Sequence, residues 1–186
     1  MKKFTFIFAF VALAFGFSYS QATFVVTTPS NNATSSFRLP NGTSAATYFI
    51  GATLVLATEL TSIPVSTTLT SVGFTTTTGA ATAVTGTITI YLQNTGDVTY
   101  SKGTTWTGVT PGMTSVYTGT ITIPASATTV DLPLTTPFTF LGSGMYVAYD
   151  FVSAGPFATT GAVWASNSTG LVGGCMSATS ASAAPT

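Results

Sequence analysis

The stretch Thr87-Ile88-Thr89-Ile90-Tyr91-Leu92 alternates strictly between apolar and polar or aromatic residues. Successive side chains of a strand point to opposite faces. Ile88, Ile90 and Leu92 therefore share one face, and Thr87, Thr89 and Tyr91 share the other. A helix would scatter the apolar residues around its axis, where β-branched Thr and Ile are also stiff. The turn formers Asn94-Thr95-Gly96-Asp97 follow at once and close the strand. This segment reads as β, with one face buried.

The same reading extends in both directions. Thr120-Ile121-Thr122-Ile123 repeats the alternation and is stopped by Pro124. Val130, Leu132 and Leu134 share a face, with Asp131 and Pro133 pointing away. Pro133 has no N–H to give a ladder, so its strand is expected at a sheet edge or at a bulge. Phe138 and Phe140 read as a short separate strand after Pro137. Met145, Val147, Tyr149 and Phe151 alternate with Tyr146, Ala148 and Asp150. Thr23 to Thr28 and Tyr48 to Leu60 both read as extended, the second apolar enough for burial on both faces. Thr70, Val72 and Phe74 share one face of a further strand, and Val163 to Ala165 around Trp164 makes a late one. Turn clusters separate them at Pro40-Asn41-Gly42, Pro111-Gly112-Met113 and Leu141-Gly142-Ser143-Gly144. Beyond the leader no helix and no internal repeat is expected. The pattern predicts an all-β fold, an antiparallel two-sheet β-sandwich of jelly-roll or immunoglobulin-like kind.

Composition agrees. Roughly one residue in five is Thr, and only four basic and four acidic residues occur in 186. Such a surface is coated with hydroxyls instead of charges. The first residues form an address: Lys2 and Lys3, an apolar run from Phe4 to Phe17, then the small residues Ser18-Tyr19-Ser20-Gln21-Ala22. That is the layout of a helical secretory signal peptide, expected over 1–20 with cleavage after Ser20 or, second, after Ala22. The apolar run falls short of the roughly twenty residues that span a bilayer, so no transmembrane anchor is expected. The chain is expected outside the cell, secreted or at the cell surface. Past Lys3 the charges are Arg38 and Lys102 against Glu59, Asp97, Asp131 and Asp150. Nucleic-acid binding needs many cations to displace counterions from phosphate, which excludes that class of partner. Cys175 stands alone, so no disulfide within the chain braces the fold.

Catalytic chemistry has little to work with. The absence of any His removes the Ser-His-acid triad, the Cys-His pair and the commonest zinc ligand. Glycoside hydrolysis needs two carboxylates flanking a cleft. Asp131 and Asp150 fall on the outward parity of their strands and Asp97 falls in a turn, so no pair is expected and no catalytic residue is assigned. No cofactor is expected either. A calcium site is the more reasonable use of the acidic residues, through the oxygens of Asn94, Thr95 and Asp97. The same residues also make a good turn, and both readings stand. Tyr91, Tyr100, Trp106, Tyr117, Tyr146 and Trp164 combine a flat apolar face with a polar tip, suited to core packing or to stacking on a sugar. Trp106, flanked by Thr105 and Thr107 in an expected loop, and Tyr100 are the candidate ligand contacts. Asn32, Asn41 and Asn167 head N-glycosylation patterns of a kind that a chain this rich in Asn and Thr also produces by chance.

The run from Gly86 to Thr95, then Ser101-Lys102-Gly103-Thr104-Thr105-Trp106, resembles a module repeated in large secreted surface proteins of Bacteroidetes. Val116 to Pro124 resembles that module's next strand, and Leu134 to Phe140 with Gly144 to Asp150 its closing pair. Arg38-Leu39-Pro40 and Leu69 to Phe74 match more loosely. The resemblance implies a jelly-roll-like sandwich in adhesin-like proteins exported by the type IX secretion route. It brings no catalytic residue. Members of that family continue into a last strand with a Phe-Arg-Pro-like motif and into a C-terminal sorting domain. Here the sequence after Gly170 turns Ser- and Ala-rich without an evident strand. The expectation is one β-sandwich domain over 21–186, cut before its last strand. Two functions remain in view. One is a non-catalytic structural or adhesive module that meets an extracellular surface, a glycan or other protein modules. The other is a carbohydrate-binding module of a larger secreted protein or enzyme.

Overall fold

The structure, a computed structural model, describes residues 22–24, 46–154, 175–186 and the backbone of 163–164. The expected signal peptide, most of the Thr23 to Thr28 strand, the Pro40-Asn41-Gly42 turn, the three glycosylation patterns and the Trp164 side chain lie outside the described residues. Among the described residues eight strands follow one another: β1 (Tyr48–Val55), β2 (Thr68–Thr78), β3 (Val84–Thr95), β4 (Thr114–Ile123), β5 (Thr129–Thr139), β6 (Gly144–Ser153), β7 (Val163–Trp164) and β8 (Cys175–Ser180). They form a five-stranded sheet in the order β4-β3-β6-β1-β8 and a three-stranded sheet in the order β5-β2-β7. Every pairing is antiparallel. The chain is an all-β sandwich. β1 pairs with β8, β2 with β7 and β3 with β6, so the chain folds back on itself in nested pairs.

The deciding stretch lies in β3, an interior strand of the larger sheet between β4 and β6. Ile88, Ile90 and Leu92 are fully buried in the core between the sheets, with Phe49 of β1 and Phe151 of β6. Tyr149 of β6 sits opposite Gly51 of β1. A Cβ on Gly51 would lie 2.5 Å from the Tyr149 ring, so glycine makes room for the aromatic. β1 and β6 are interior strands buried on both faces, as expected for the first part of the Tyr48 to Leu60 stretch, but the strand stops at Val55 and the 3₁₀ turn over Ala57–Glu59 follows. Pro124 follows β4 directly.

Pro133 satisfies both of its alternatives. β5 is an edge strand, and its register against β2 jumps from Leu69↔Phe138 to Ser71↔Pro133. The slack of that bulge changes two expectations. Phe138 belongs to β5 and not to a separate strand, because β5 continues past the bulge to Thr139. On β2, Leu69 packs against the core with Val72 and Phe74, while Thr70 is exposed, since the irregularity between Leu69 and Ser71 breaks the two-residue period.

Two further expectations are corrected. A single helical turn, α1 (Trp106–Val109), interrupts the loop between β3 and β4, and a 3₁₀ turn covers Ala57–Glu59. Both are too short to leave a helical period in the sequence. The Ser- and Ala-rich end contains a strand after all: β8 pairs with β1 from Tyr48↔Ser180 to Thr53↔Cys175. Its residues are small and weakly patterned, and pairing to a buried central strand supplies the order that propensity does not.

Candidate functional site

The outer face of the five-stranded sheet divides into an open part and a capped part. On β3 and β4 the facing pairs Thr85↔Thr122, Thr87↔Thr120 and Thr89↔Thr118 form an uncharged ladder of hydroxyls and methyls. Thr85 and Thr122 share a hydrogen bond at 3.1 Å, and Thr118 donates to Thr89 at 3.2 Å. Further along, Ile50, Ala52, Ala148 and Met176 make an apolar patch that also lies on this outer face.

The loop between β3 and β4 covers that patch. It passes through Gly103 and Gly112, whose φ values of 77° and 78° lie in the left-handed region that glycine enters freely. α1 lies between them and delivers Val109, fully buried, onto Ala148 and its neighbours. Tyr91, Tyr100, Trp106 and Met113 pack around this plug, half-buried. Trp106 meets Tyr91 edge to face, with ring centroids 5.7 Å apart, and Tyr100 meets Tyr146 the same way at 5.7 Å. Such contacts suit the aromatic quadrupole. Lys102 donates from Nζ to the Pro111 carbonyl at 2.6 Å and lies 5.5 Å from the centre of the Tyr146 ring. Burial pulls its pKa down, against the opposing pull of Asp97.

Both candidate contacts, Trp106 and Tyr100, thus belong to one cap. The Tyr100 hydroxyl is buried with no hydrogen-bond partner among the described residues, and its pKa is pushed up to about 12 by burial first, then by Tyr146 and Cys175. Gln93 Oε1 and Asp150 Oδ1 are likewise buried and unpartnered, on the same side of the sheet. Asp150 is half-buried, and loss of hydration raises its pKa. Tyr146, another aromatic candidate, is fully buried. Sequence reasoning missed Val109, because one apolar residue three positions after Trp106 makes no period.

A second locality lies where β1, β3 and β5 end and β6 begins, the tip of the sandwich. Here the Asn94 side chain clamps two segments: its Nδ2 donates to the Thr139 carbonyl at 2.9 Å, and its Oδ1 accepts from the Leu141 N–H at 3.0 Å. Asp97 Oδ2 accepts from Ser101 Oγ at 2.6 Å and from the Tyr146 hydroxyl at 2.7 Å. These two bonds, Ser101 first, hold its carboxyl below the ordinary range. The Asp97 N–H donates to Thr95 Oγ1 at 3.1 Å. Asn94 Oδ1, Thr95 Oγ1 and Asp97 Oδ2 thus each accept a hydrogen bond from within the chain. Among the described residues no group of three or more His, Cys, Asp and Glu stands close enough to hold a metal ion. The Tyr146 contact joins residues 49 positions apart, which no local pattern reveals.

The remaining carboxylates are dispersed. Glu59 Oε2 accepts from the Leu56 N–H at 2.8 Å. Asp131 is exposed on β5 beside core-facing Leu132, so it points outward from the smaller sheet, and Asp150 lies on the outer face of the larger one. The two stand on opposite sides of the sandwich. Among the described residues no helix is long and apolar enough to cross a membrane. No protein-family model, no curated protein and no solved structure matches this chain.

Proposed function

We propose that this chain is a non-catalytic structural or adhesive module carried outside the cell, one that holds a surface or a neighbouring protein. The observation that carries this reading is the dispersal of its carboxylates. Glu59 and Asp97 serve backbone and hydroxyl donors of their own chain, and Asp131 and Asp150 stand on opposite sides of the sandwich. Acid–base chemistry on a substrate needs groups that converge on it. A sheet face covered with paired threonines supports the same reading, since it offers a charge-free area for contact. Secretion is supported by the leader sequence, and the surface-protein setting and type IX export by the resemblance to Bacteroidetes modules alone.

Incubating the protein with insoluble polysaccharides and immobilised extracellular proteins tests the proposal. Saturable retention with no released product is expected. Product that stops appearing in Asp131→Asn or Asp150→Asn would make the chain an enzyme.

The Trp106–Tyr91 pair favours a second reading, a carbohydrate-binding module, because it holds two half-buried aromatic rings at the cap. On a glycan array that reading expects saturable binding to a defined sugar, lost in Trp106→Ala while the melting transition stays cooperative. Binding that persists in the variant counts against it.

A further inference from the structure

The exposed large apolar side chains among the described residues are Val65, Val98 and Leu141, at 67%, 75% and 61% exposure. They come from three different loops, and all three sit at the tip. Thr95 at the end of β3 faces Gly144 at the start of β6, and Val55 at the end of β1 faces Met145. The Ser66 N–H donates to the Phe140 carbonyl, which brings Val65 to the turn that carries Leu141. Gly142 lies against Val65 so closely that a Cβ there would fall 2.6 Å from Val65 Cγ2. Scattered surface hydrophobics need no explanation, but a cluster at one place marks a contact surface.

Beside this rim lies a cleft of about 170 Å³ lined mainly by Leu56, Ala57, Val98 and Gly144, with Asp97 in its wall. Pockets for drug-sized ligands are larger, roughly 300–1,000 Å³. This one suits a single side chain. Asp97 is its one charged wall, and no basic residue lines it. The hydrogen bonds from Ser101 and Tyr146 keep that carboxylate in place and ionised at neutral pH.

β8 runs from Cys175, opposite Thr53, to Ser180, opposite Tyr48, so Ser180 lies at the end of the sandwich away from the tip. Thr47 Oγ1 donates to the Ala181 carbonyl there. From Tyr48 to Val55 the strand spans about 24 Å at its usual rise. A second copy has few cations to offer Asp97: past Lys3 the chain carries only Arg38 and Lys102, and Lys102 already donates to the Pro111 carbonyl.

We infer that the tip binds an extended segment of another protein, with one aliphatic side chain in the cleft and a Lys or Arg beside it meeting Asp97. This rests on the reading of the chain as a holding module and names the kind of partner it holds. The probe is the capped peptide acetyl-Gly-Leu-Lys-Gly-amide, titrated into the ¹⁵N-labelled full chain, with Leu→Ser and Lys→Glu peptides as controls. The amides of Gly96, Asp97, Val98 and Gly144 are expected to shift and saturate in the millimolar range. The effect is expected to vanish in Val98→Ser and to weaken several-fold in Asp97→Asn and at high salt. Val98 is exposed, so Val98→Ser keeps the fold, which its unchanged melting transition checks. The proposal falls if no amide shifts, or if the Lys→Glu peptide binds as well. It also falls if the tip amides shift with concentration of the chain alone, since a second copy is then the occupant. Retention on an extracellular surface that survives Val98→Ser would remove the tip and leave the holding module standing. A chain that no surface retains removes the holding module itself.

Discussion

The two faces of the five-stranded sheet are built from the same strands and do different work. The inner face is continuous: Ile88, Ile90 and Leu92 of β3, Phe49 of β1 and Phe151 of β6 are all buried against the smaller sheet. The outer face is a mosaic of open threonine pairs and an apolar patch that one loop closes with Val109. Strand alternation requires one sorted face. What covers the other face comes from a loop, free to carry aromatics, trapped polar groups and an exposed tip. Stability should therefore concentrate on the inner face, and adjustable chemistry on the outer one and the tip.

The largest effect should follow Phe151→Ala, which empties a fully buried aromatic site on the inner face. A loss of about 3–5 kcal/mol is expected from urea unfolding, with the transition still cooperative. Val109→Ala removes two methyl groups from the cap and should cost about 2 kcal/mol. Hydrogen exchange should quicken in the loop between β3 and β4 before it does in β3 itself. Equal quickening in both would break the comparison, because the cap would then be part of the main core.

The two aspartates sharpen it through pH. Burial on the outer face raises the Asp150 pKa above its ordinary 3.8, so the folded chain holds a proton that the unfolded chain has lost. Its effect is a loss of stability as pH rises from about that value through the raised one. Asp97 is lowered by its hydroxyl donors, so its stabilisation is present above 3.8 and disappears as pH falls through the lowered value. Melting temperatures followed across acid pH should show Asp150→Asn gaining on the wild type toward neutrality. Asp97→Asn should lose on it as pH rises from the lowered value to about 3.8, with the deficit constant above that. The smallest effect belongs to the exposed bond between Thr75 and Thr129, 2.9 Å across β2 and β5. Thr75→Val should change stability by no more than about 0.5 kcal/mol in the same melts.

How much of this could be read beforehand follows from range. The inner face was legible because alternation is a local property of β3, β4 and β6, and Pro133 announced its edge and bulge because a missing N–H is local too. From sequence Phe138 reads as a separate strand and Thr70 as sharing a face with Val72 and Phe74, because a bulge resets the period without changing composition. β8 escaped notice because Ser, Ala and Thr carry little patterning, and its partner β1 lies more than a hundred residues earlier. At the candidate sites Trp106 and Tyr100 stood out as residue types. The Val109 plug, the bond from Tyr146 to Asp97 and the gathering of Val65, Val98 and Leu141 exist only once distant loops meet.

The claim that the chain holds and does not react is tested most directly by one retention assay with product analysis. The full chain is passed over insoluble polysaccharides and immobilised extracellular proteins, and the eluate is examined by chromatography for released fragments. Saturable retention on at least one surface, with no fragment released, is the result predicted here. Fragments that appear with the wild type and cease with Asp131→Asn or Asp150→Asn would contradict it.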